Sequence, residues 1–205
     1  MADSYKVSWI TNGKVRAVGV GMEVGNDLAV GWRRVTDWAS FATARRVDHA
    51  MTLVRTLARS DVSLMRGMLD LFGIAFRDRA TYCDCQPDDE YLERLLGGGD
   101  FIAIAALHDG AVVGGLAGYV LPKFEQRRSE FYIYDLAVAE AHRRQGIATA
   151  MIEELKRVSA HRGIYVMFVQ ADHGDDPAIA LYSKLGTREQ VLHFDIAPHA
   201  RMATS

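Results

Sequence analysis

The stretch that decides the fold is YDLAVAEAHRRQGIAT, residues 134–149. Its first five residues are mostly apolar, as in a strand. The end of the stretch begins a segment in which Ile147, Met151 and Leu155 recur at helical spacing. A strand that leads into a helix places the free N–H groups and positive dipole end of that helix near the end of the strand. The stretch therefore predicts an anion-binding site at the strand-to-helix junction.

The residues at this junction suit a pyrophosphate group. Gly146 and the small Ala148 allow a ligand to approach the backbone closely, and Arg143 and Arg144 add charge-assisted donors. The junction lacks the Lys-Ser/Thr pair of a P-loop and the three glycines of a dinucleotide-binding fingerprint. From these residues alone two interpretations stay open, a pyrophosphate cradle or a basic helix start.

The chain divides into three parts that differ in their pattern of apolar and polar residues. Residues 51–197 predict one domain of mixed α and β structure, in the order β-α-α-β-β-β-α-β-α-β. Residues 1–50 form an N-terminal extension to which we assign no role, with a short helix expected over residues 38–47. Residues 198–205 form a C-terminal tail.

Three features set the expected sheet. Asp109-Gly110 lies between two apolar runs and predicts a tight hairpin. The apolar run over residues 164–170 predicts a central strand that is parallel to a neighbour. A last strand over residues 190–196 is expected to close the sheet.

Charge and hydropathy exclude several classes of protein. Residues 1–50 carry seven Lys/Arg and five Asp/Glu, whereas residues 51–205 carry seventeen and twenty-one. An acidic main domain is a poor nucleic-acid binder and suits a polycationic small molecule, although a normally solvated surface explains the same charges. The sequence has no apolar run long enough to span a bilayer and no signal peptide at its N-terminus. We expect a cytoplasmic protein that binds neither nucleic acid nor membrane.

The two cysteines, Cys83 and Cys85, do not predict a metal site or a disulfide framework. Their spacing is wrong for a zinc pair, and the sequence has no further cysteine to complete a cluster. The acidic residues and His173 near residue 172 are nearly consecutive, which is unsuitable for tetrahedral ligation. We therefore expect no metal.

The junction resembles a known family. Arg143-x-x-Gly146-x-Ala148, after the strand over residues 134–138, resembles the coenzyme-A signature of the GNAT acetyltransferases. The helix pattern Ala178-x-x-Leu181-Tyr182-x-x-Leu185-Gly186 resembles a second mark of that family. The resemblance covers residues 52–197. It implies the α/β (α+β) GNAT fold, a mixed, mostly antiparallel central sheet with a splayed parallel pair and flanking helices.

A closer resemblance is to the type I gentamicin 3-N-acetyltransferases. It is carried by the blocks at residues 119–126, 129–138, 168–178 and 193–196. It implies an enzyme that acetylates the 3-amino group of aminoglycosides such as gentamicin and so confers resistance. It also implies a homodimer and direct attack of the amine on the thioester, without a covalent acetyl-enzyme.

The resemblance also assigns the residues that hold acetyl-CoA, the co-substrate. The freed backbone groups of Leu136, Ala137 and Val138 would bind the pantetheine arm. Tyr182 would protonate the departing thiolate. The remaining cofactor-binding residues are expected to be Arg143, Arg144, Gln145, Gly146, Ile147, Ala148 and Thr149.

For the acceptor amine we expect Asp135 to be the base, because an ammonium group must lose a proton before it can attack. A carboxylate on an otherwise apolar strand is unfavourable unless it is paired or faces a cleft. Strand alternation places Asp135 and Ala137 on one face and Tyr134 on the other. The full set of expected acceptor-binding residues is Glu130, Tyr134, Asp135, Asp172, Asp175 and Asp176. Other interpretations stay open for several of them: a structural hydrogen bond for Asp135, an exposed loop for Glu130, and a helix cap for Asp175 or Asp176.

The sequence leaves two other functions open. The acceptor of the same enzyme could be a polyamine or a protein N-terminal amine. Alternatively, the chain could be a non-catalytic coenzyme-A-binding module that uses residues 1–50 as a partner surface.

Overall fold

A six-stranded sheet organises the part of the chain that the structure describes. This computed structural model describes residues 45–47, 52–194 and 196. The strands lie in chain order, and every neighbouring pair is antiparallel except the fifth and sixth, which are parallel. The strands are β1 (Arg45–Val47), β2 (Thr52–Thr56), β3 (Phe101–His108), β4 (Ala111–Pro122), β5 (Ser129–Val138) and β6 (Ile164–Val169).

Helices flank this sheet, and aspartates begin three of them. The side chains of Asp78, Asp88 and Asp175 accept hydrogen bonds from the backbone N–H groups of the first helical turns. A short 3-10 helix, Glu140–His142, separates β5 from the helix that follows. The α-helices in the described residues are α1 (Val62–Ala75), α2 (Arg79–Tyr82), α3 (Asp89–Gly97), α4 (Ile147–His161) and α5 (Asp176–Leu185).

The sheet buries both of its faces. Adjacent glycines in β4 show this, because a Cβ at Gly115 would meet Phe72 of α1, whereas a Cβ at Gly114 would meet Ile147 of α4. The alanines on the α1 face, Ala103, Ala105, Ala117 and Ala137, are buried against apolar side chains of α1 and α3. Small residues on this face therefore let helices approach the strands closely.

Strands β5 and β6 run together for only half the length of β5. Their pairing extends from Ser129 opposite Ile164 to Ile133 opposite Val169, where β6 ends. Beyond that point β5 continues to Val138 and, among the described strands, pairs with β4 alone. The parallel pair that the family resemblance implied is confirmed. One edge of residues 135–138 has no strand partner in the described part of the chain.

Three sequence predictions differ from the structure. The helix expected over residues 38–47 is wrong at its described end, because Arg45–Val47 pairs with β2 as a strand. The closing strand over residues 190–196 is not formed in its described residues, 190–194 and 196. The strand expected to be central, β6, lies at one edge of the sheet that the described residues form, because no further strand follows it there. In addition, the short helix α2 has no counterpart among the sequence predictions.

The mixed, mostly antiparallel sheet with flanking helices is confirmed. All six strands and α1 to α4 belong to one compact unit, and the described residues from Tyr182 onward belong to a second unit.

Candidate active site

An extra residue in β5 shapes the candidate site. Gly118 of β4 lies opposite Ile133 and the neighbouring Ala117 lies opposite Asp135, so that Tyr134 is inserted as a β-bulge. A Cβ at residue 118 would lie 2.7 Å from the Phe131 ring and closer still to the carbonyl oxygen of Tyr132. Glycine is therefore required where β4 passes the bulge.

The bulge places Tyr134 and Asp135 on the same face of the sheet. Asp135 lies opposite Ala117, whose side chain faces α1 and α3. The ring of Tyr134 contacts Tyr119 and Tyr132, which pair with each other across the strands on that face. The prediction that Tyr134 and Asp135 point to opposite faces is therefore wrong, because regular alternation stops at the inserted residue.

Asp135 is a half-buried carboxylate with one defined partner. The hydroxyl of Tyr82 donates a hydrogen bond to its Oδ1 atom, over 3.0 Å. Burial raises the pKa of Asp135 above its usual value, and the Tyr82 hydrogen bond acts in the opposite direction. Asp135 is thus a stronger base than an exposed aspartate.

Tyr82 keeps its proton in this arrangement. Burial, followed by the charge of Asp135, raises the pKa of Tyr82 well above its usual value. The hydroxyl is therefore a hydrogen-bond donor throughout the pH range in which enzymes are ordinarily assayed.

Short-range packing fixes the position of Tyr82. Its ring contacts those of Phe72 and Phe76 on α1, with centroids 5.8 and 5.7 Å away. Gly73 lets α2 lie against α1, because a Cβ there would overlap Cys83 Sγ and come within 3.4 Å of Tyr82 Cβ. The sequence does contain a signal for the start of α2, since Asp78 lies three residues before Thr81 and caps the helix. It contains none that links Tyr82 to a carboxylate 53 residues later.

The junction between β5 and α4 has the geometry of an anion cradle. Gly146 adopts φ +79°, and a Cβ there would have no heavy atom within 4 Å, so that space is open above the backbone. The first i-to-i+4 bond of α4 runs from Ala150 N–H to Gly146 O, which leaves the N–H groups of residues 147–149 without partners inside the helix. The side chains of Arg143, Arg144 and Gln145 are exposed beside it.

Arg143 also ties the cradle to β5. Its Nε donates a hydrogen bond to the carbonyl oxygen of Val138, over 3.1 Å. The cradle is therefore continuous along the chain with residues 136–138, one edge of which lacks a strand partner among the described residues. A strand edge followed by a helix N-terminus suits a long ligand with amide groups at one end and phosphates at the other.

Residues 66–187 match the acetyltransferase (GNAT) family. This chain belongs to that family. GNAT acetyltransferases use acetyl-CoA, and the edge of β5 and the cradle are the features here that fit its pantetheine arm and pyrophosphate.

Solved structures of similar GNAT proteins include aminoglycoside acetyltransferases. One, from an uncultured soil metagenomic sample, is 59% identical with a TM-score of 0.71, and the match covers 72% of this chain and 99% of that one. Another, also from a soil metagenomic sample and solved in complex with sisomicin, is 32% identical with a TM-score of 0.66. That match covers 72% of this chain and 96% of that one.

One curated relative is named as a different kind of acetyltransferase. The N-alpha-acetyltransferase of Sulfurisphaera tokodaii is 29% identical over 96 residues, which is 42% of this chain. The match spans 58% of the relative's own length, less than two thirds of it.

The remaining predicted acceptor residues lie in two places. Glu130 is at the start of β5, five residues and roughly 15 Å along the strand from Asp135. Its carboxylate pairs with Lys123, over 3.4 Å, and accepts a hydrogen bond from Tyr165. The structure therefore does not bring Glu130 together with Asp135.

The acidic turn after β6 leaves the sheet beside the bulge, because β6 ends at Val169 opposite Ile133. Asp172, Asp175 and Asp176 are all exposed there. Asp175 caps α5 by accepting a hydrogen bond from Ala178 N–H over 3.1 Å, and Asp176 is the first residue of that helix. The cap is therefore Asp175, and the carboxylates of Asp172 and Asp176 face solvent.

Tyr182 lies on α5 and is half-buried, and its carbonyl oxygen accepts a hydrogen bond from Gly186 N–H. Its role as proton donor stays a prediction.

The described residues hold neither a metal-binding cluster nor a membrane-spanning helix. In residues 45–47, 52–194 and 196, His, Cys, Asp and Glu do not form a group of three that could hold a metal. No helix in that part of the chain has the length and hydropathy to cross a membrane.

Proposed function

We propose that the protein transfers the acetyl group of acetyl-CoA to the 3-amino group of a gentamicin-like aminoglycoside. The observation that carries the proposal is the half-buried Asp135 carboxylate, which the bulge holds on β5. It adjoins residues 136–138, one edge of which lacks a strand partner among the described residues. The 59% identity to an aminoglycoside acetyltransferase supports the choice of acceptor.

Asp135 supplies the proton acceptor. The amino groups of an aminoglycoside are mostly ammonium ions near neutral pH, and such an ion cannot attack a carbonyl carbon. Its attraction to the carboxylate favours binding, and transfer of one proton to Asp135 frees the nitrogen lone pair. The raised pKa of Asp135 brings it nearer to the pH of the reaction, which favours this transfer.

Two side chains of this protein account for the protons that move as bonds form and break. The nitrogen forms a bond to the thioester carbonyl carbon, and the carbon–sulfur bond breaks. The ammonium group loses two protons on its way to the amide. Asp135 takes the first before the attack and later releases it to solvent. The second leaves the nitrogen as the carbon–sulfur bond breaks, and it replaces the proton that we assign Tyr182 to give to the sulfur. Neither step needs a metal or a covalent intermediate.

The acetyl-CoA site follows from the junction and the strand edge. Leu136, Ala137 and Val138 would pair with the pantetheine amides, with the Val138 carbonyl already held by Arg143. The N–H groups of Gly146, Ile147, Ala148 and Thr149 and the exposed side chains of Arg144 and Gln145 would bind the pyrophosphate.

Tyrosine rings extend the acceptor site along the sheet. Tyr134 and Tyr119 are 48% and 39% exposed, and the ring of Tyr134 packs edge-on against those of Tyr119 and Tyr132. Aromatic faces attract cations and pack against the apolar faces of sugars, so they complement Asp135 in binding a cationic aminoglycoside. Exposed Asp172 and Asp176 would add long-range attraction.

A second acceptor has one observation in its favour. The Sulfurisphaera tokodaii relative is an N-alpha-acetyltransferase, so the amino terminus of a protein is the alternative acceptor.

The test measures thiol release from acetyl-CoA with gentamicin, sisomicin, spermidine and a peptide with a free N-terminus, each across a concentration series. We expect turnover with the two aminoglycosides at least 100-fold above that with the others, and a product acetylated at the 3-amino group by NMR. Turnover with the peptide alone would support the second acceptor. Binding of coenzyme A without turnover of any amine would mean a non-catalytic module.

The proposal includes a cytoplasmic homodimer that protects its host from the antibiotic. Light scattering on the purified chain tests the dimer, and growth of a sensitive bacterium on gentamicin with and without the expressed chain tests the protection.

A further inference from the structure

The hydrogen bond between Tyr82 and Asp135 joins two distant parts of the chain. Tyr82 is the last residue of α2, a helix of four residues, and Asp135 is on the bulged strand β5. The two side chains meet through a 3.0 Å hydrogen bond between the Tyr82 hydroxyl and Asp135 Oδ1. Such a contact between a short helix and a strand requires that the helix be held firmly against the sheet.

We propose that Tyr82 is a positioning residue that orients the Asp135 carboxylate and thereby sets the lowest pH at which the enzyme acetylates its acceptor. This inference rests on the proposed function, in which Asp135 is the base. It adds a residue that neither the sequence motifs nor the family match singles out.

The geometry divides the two oxygens of Asp135 between different tasks. The Tyr82 hydroxyl binds Oδ1, so Oδ2 is the atom left to accept the proton of the ammonium group. A carboxylate tied at one oxygen loses rotational freedom, and its second oxygen keeps a fixed direction. Tyr82 itself gives up no proton, since its own pKa is raised far above neutrality.

The groups around the pair make the ionisation of Asp135 depend on the Tyr82 hydroxyl. Burial opposes ionisation of Asp135, and within the described residues the hydroxyl of Tyr82 is the group that favours it. The other titratable groups acting on Tyr82 are Tyr134 of β5 and Asp78, the residue that caps α2, and they are neutral or negative. The described residues supply no cation that could replace the hydroxyl.

The prediction for Tyr82→Phe has a definite sign. Without the hydrogen bond the ionised form of Asp135 is disfavoured, its pKa rises, and activity is lost at a higher pH as the solution is acidified. Loss of a hydrogen bond to a charged group should move the acidic limb of the kcat/KM profile for gentamicin to higher pH by about one pH unit. On the alkaline plateau we expect a loss below about tenfold, and an unchanged KM for acetyl-CoA.

Matched variants separate positioning from packing. Phenylalanine keeps the ring that packs against Phe72 and Phe76, whereas Tyr82→Leu removes both ring and hydroxyl and should lower the melting temperature as well. Tyr91→Phe, at an exposed position of α3, is the control that should match wild type in both pH profile and stability. The effect of Tyr82→Phe should disappear in an Asp135→Asn background, because the two residues act as one unit.

A readout without substrate completes the test. The Asp135 carboxyl carbon is titrated by NMR, with its signal assigned by its loss in Asp135→Asn. A titration midpoint that is higher in Tyr82→Phe than in wild type supports the proposal, and coincident midpoints overturn it. If the wild-type enzyme does not acetylate aminoglycosides, the proposed function is wrong. The carboxyl titration still tests the role of Tyr82 in that case.

Discussion

Gly118→Ala tests whether the bulge creates the site. The new Cβ would lie 2.7 Å from the Phe131 ring, where ordinary contact begins at 3.4 Å, so the ring must retreat by about 0.7 Å. The Tyr132 carbonyl oxygen is closer still and belongs to the backbone next to the bulge, so β5 itself must move. Overpacking of this kind ordinarily lowers the free energy of unfolding by about 1–3 kcal/mol.

The displacement should reduce activity more than stability alone explains. A shift of about 1 Å at a reacting group can lower the rate about 100-fold, and Asp135 is two residues beyond the partner of Gly118. We therefore expect kcat/KM for gentamicin to fall by about that factor in protein that is still folded at the assay temperature.

The assay combines thermal unfolding with kcat/KM at saturating acetyl-CoA. Gly99→Ala is the matched control, because a Cβ there would have no heavy atom within 4 Å and its φ is not in the left-handed region. A folded Gly118→Ala enzyme with the kcat/KM of wild type would refute the requirement for glycine at the bulge, and with it the positioning of Asp135 by the bulge.

Three further predictions concern the other parts of the enzyme. Gly146→Val should raise the KM for acetyl-CoA more than tenfold, because a branched residue is strained at φ +79° and shields the cradle; an unchanged KM in folded protein would contradict the cradle. Tyr182→Phe should lower kcat about 100-fold with little change in either KM, and kinetics equal to wild type would show that solvent protonates the thiolate. A chain that starts at Met51 should keep its activity, although it lacks β1; loss of turnover in soluble shortened protein would show that residues 1–50 contribute to the site.

The sequence was informative where function depends on local pattern. The strand and helix around residues 134–149 follow from hydrophobic periodicity, and Gly146 has the left-handed backbone that suits a cradle. Asp135 stands out in the sequence because a carboxylate on an apolar strand is unfavourable unless it is paired or faces a cleft. In the structure it accepts a hydrogen bond from Tyr82.

What the sequence did not predict depends on contacts between distant residues. The bulge at Tyr134 requires the missing side chain of Gly118 on the neighbouring strand, and the period of β5 alone does not reveal it. The pairing of Glu130 with Lys123 could not be read from the sequence either. Tyr82 lies on a helix too short to have a period.

The most direct test of the central claim is the pH profile of gentamicin acetylation by Asp135→Asn. Asparagine keeps the shape, and its carbonyl can still accept the Tyr82 hydrogen bond, but it cannot take a proton. Burial raises the folded-state pKa of Asp135, so its ionised form opposes folding as the pH rises through that pKa. The variant should therefore be no less stable than wild type at neutral pH.

Asp109→Asn, an exposed hairpin residue at φ +50°, is the matched control for the loss of one carboxylate. We expect Asp135→Asn to bind coenzyme A normally and to lose at least tenfold in kcat/KM for gentamicin, together with the acidic limb that the wild type and the control retain. Acetylation at the wild-type rate and with the wild-type acidic limb would show that Asp135 is not the base.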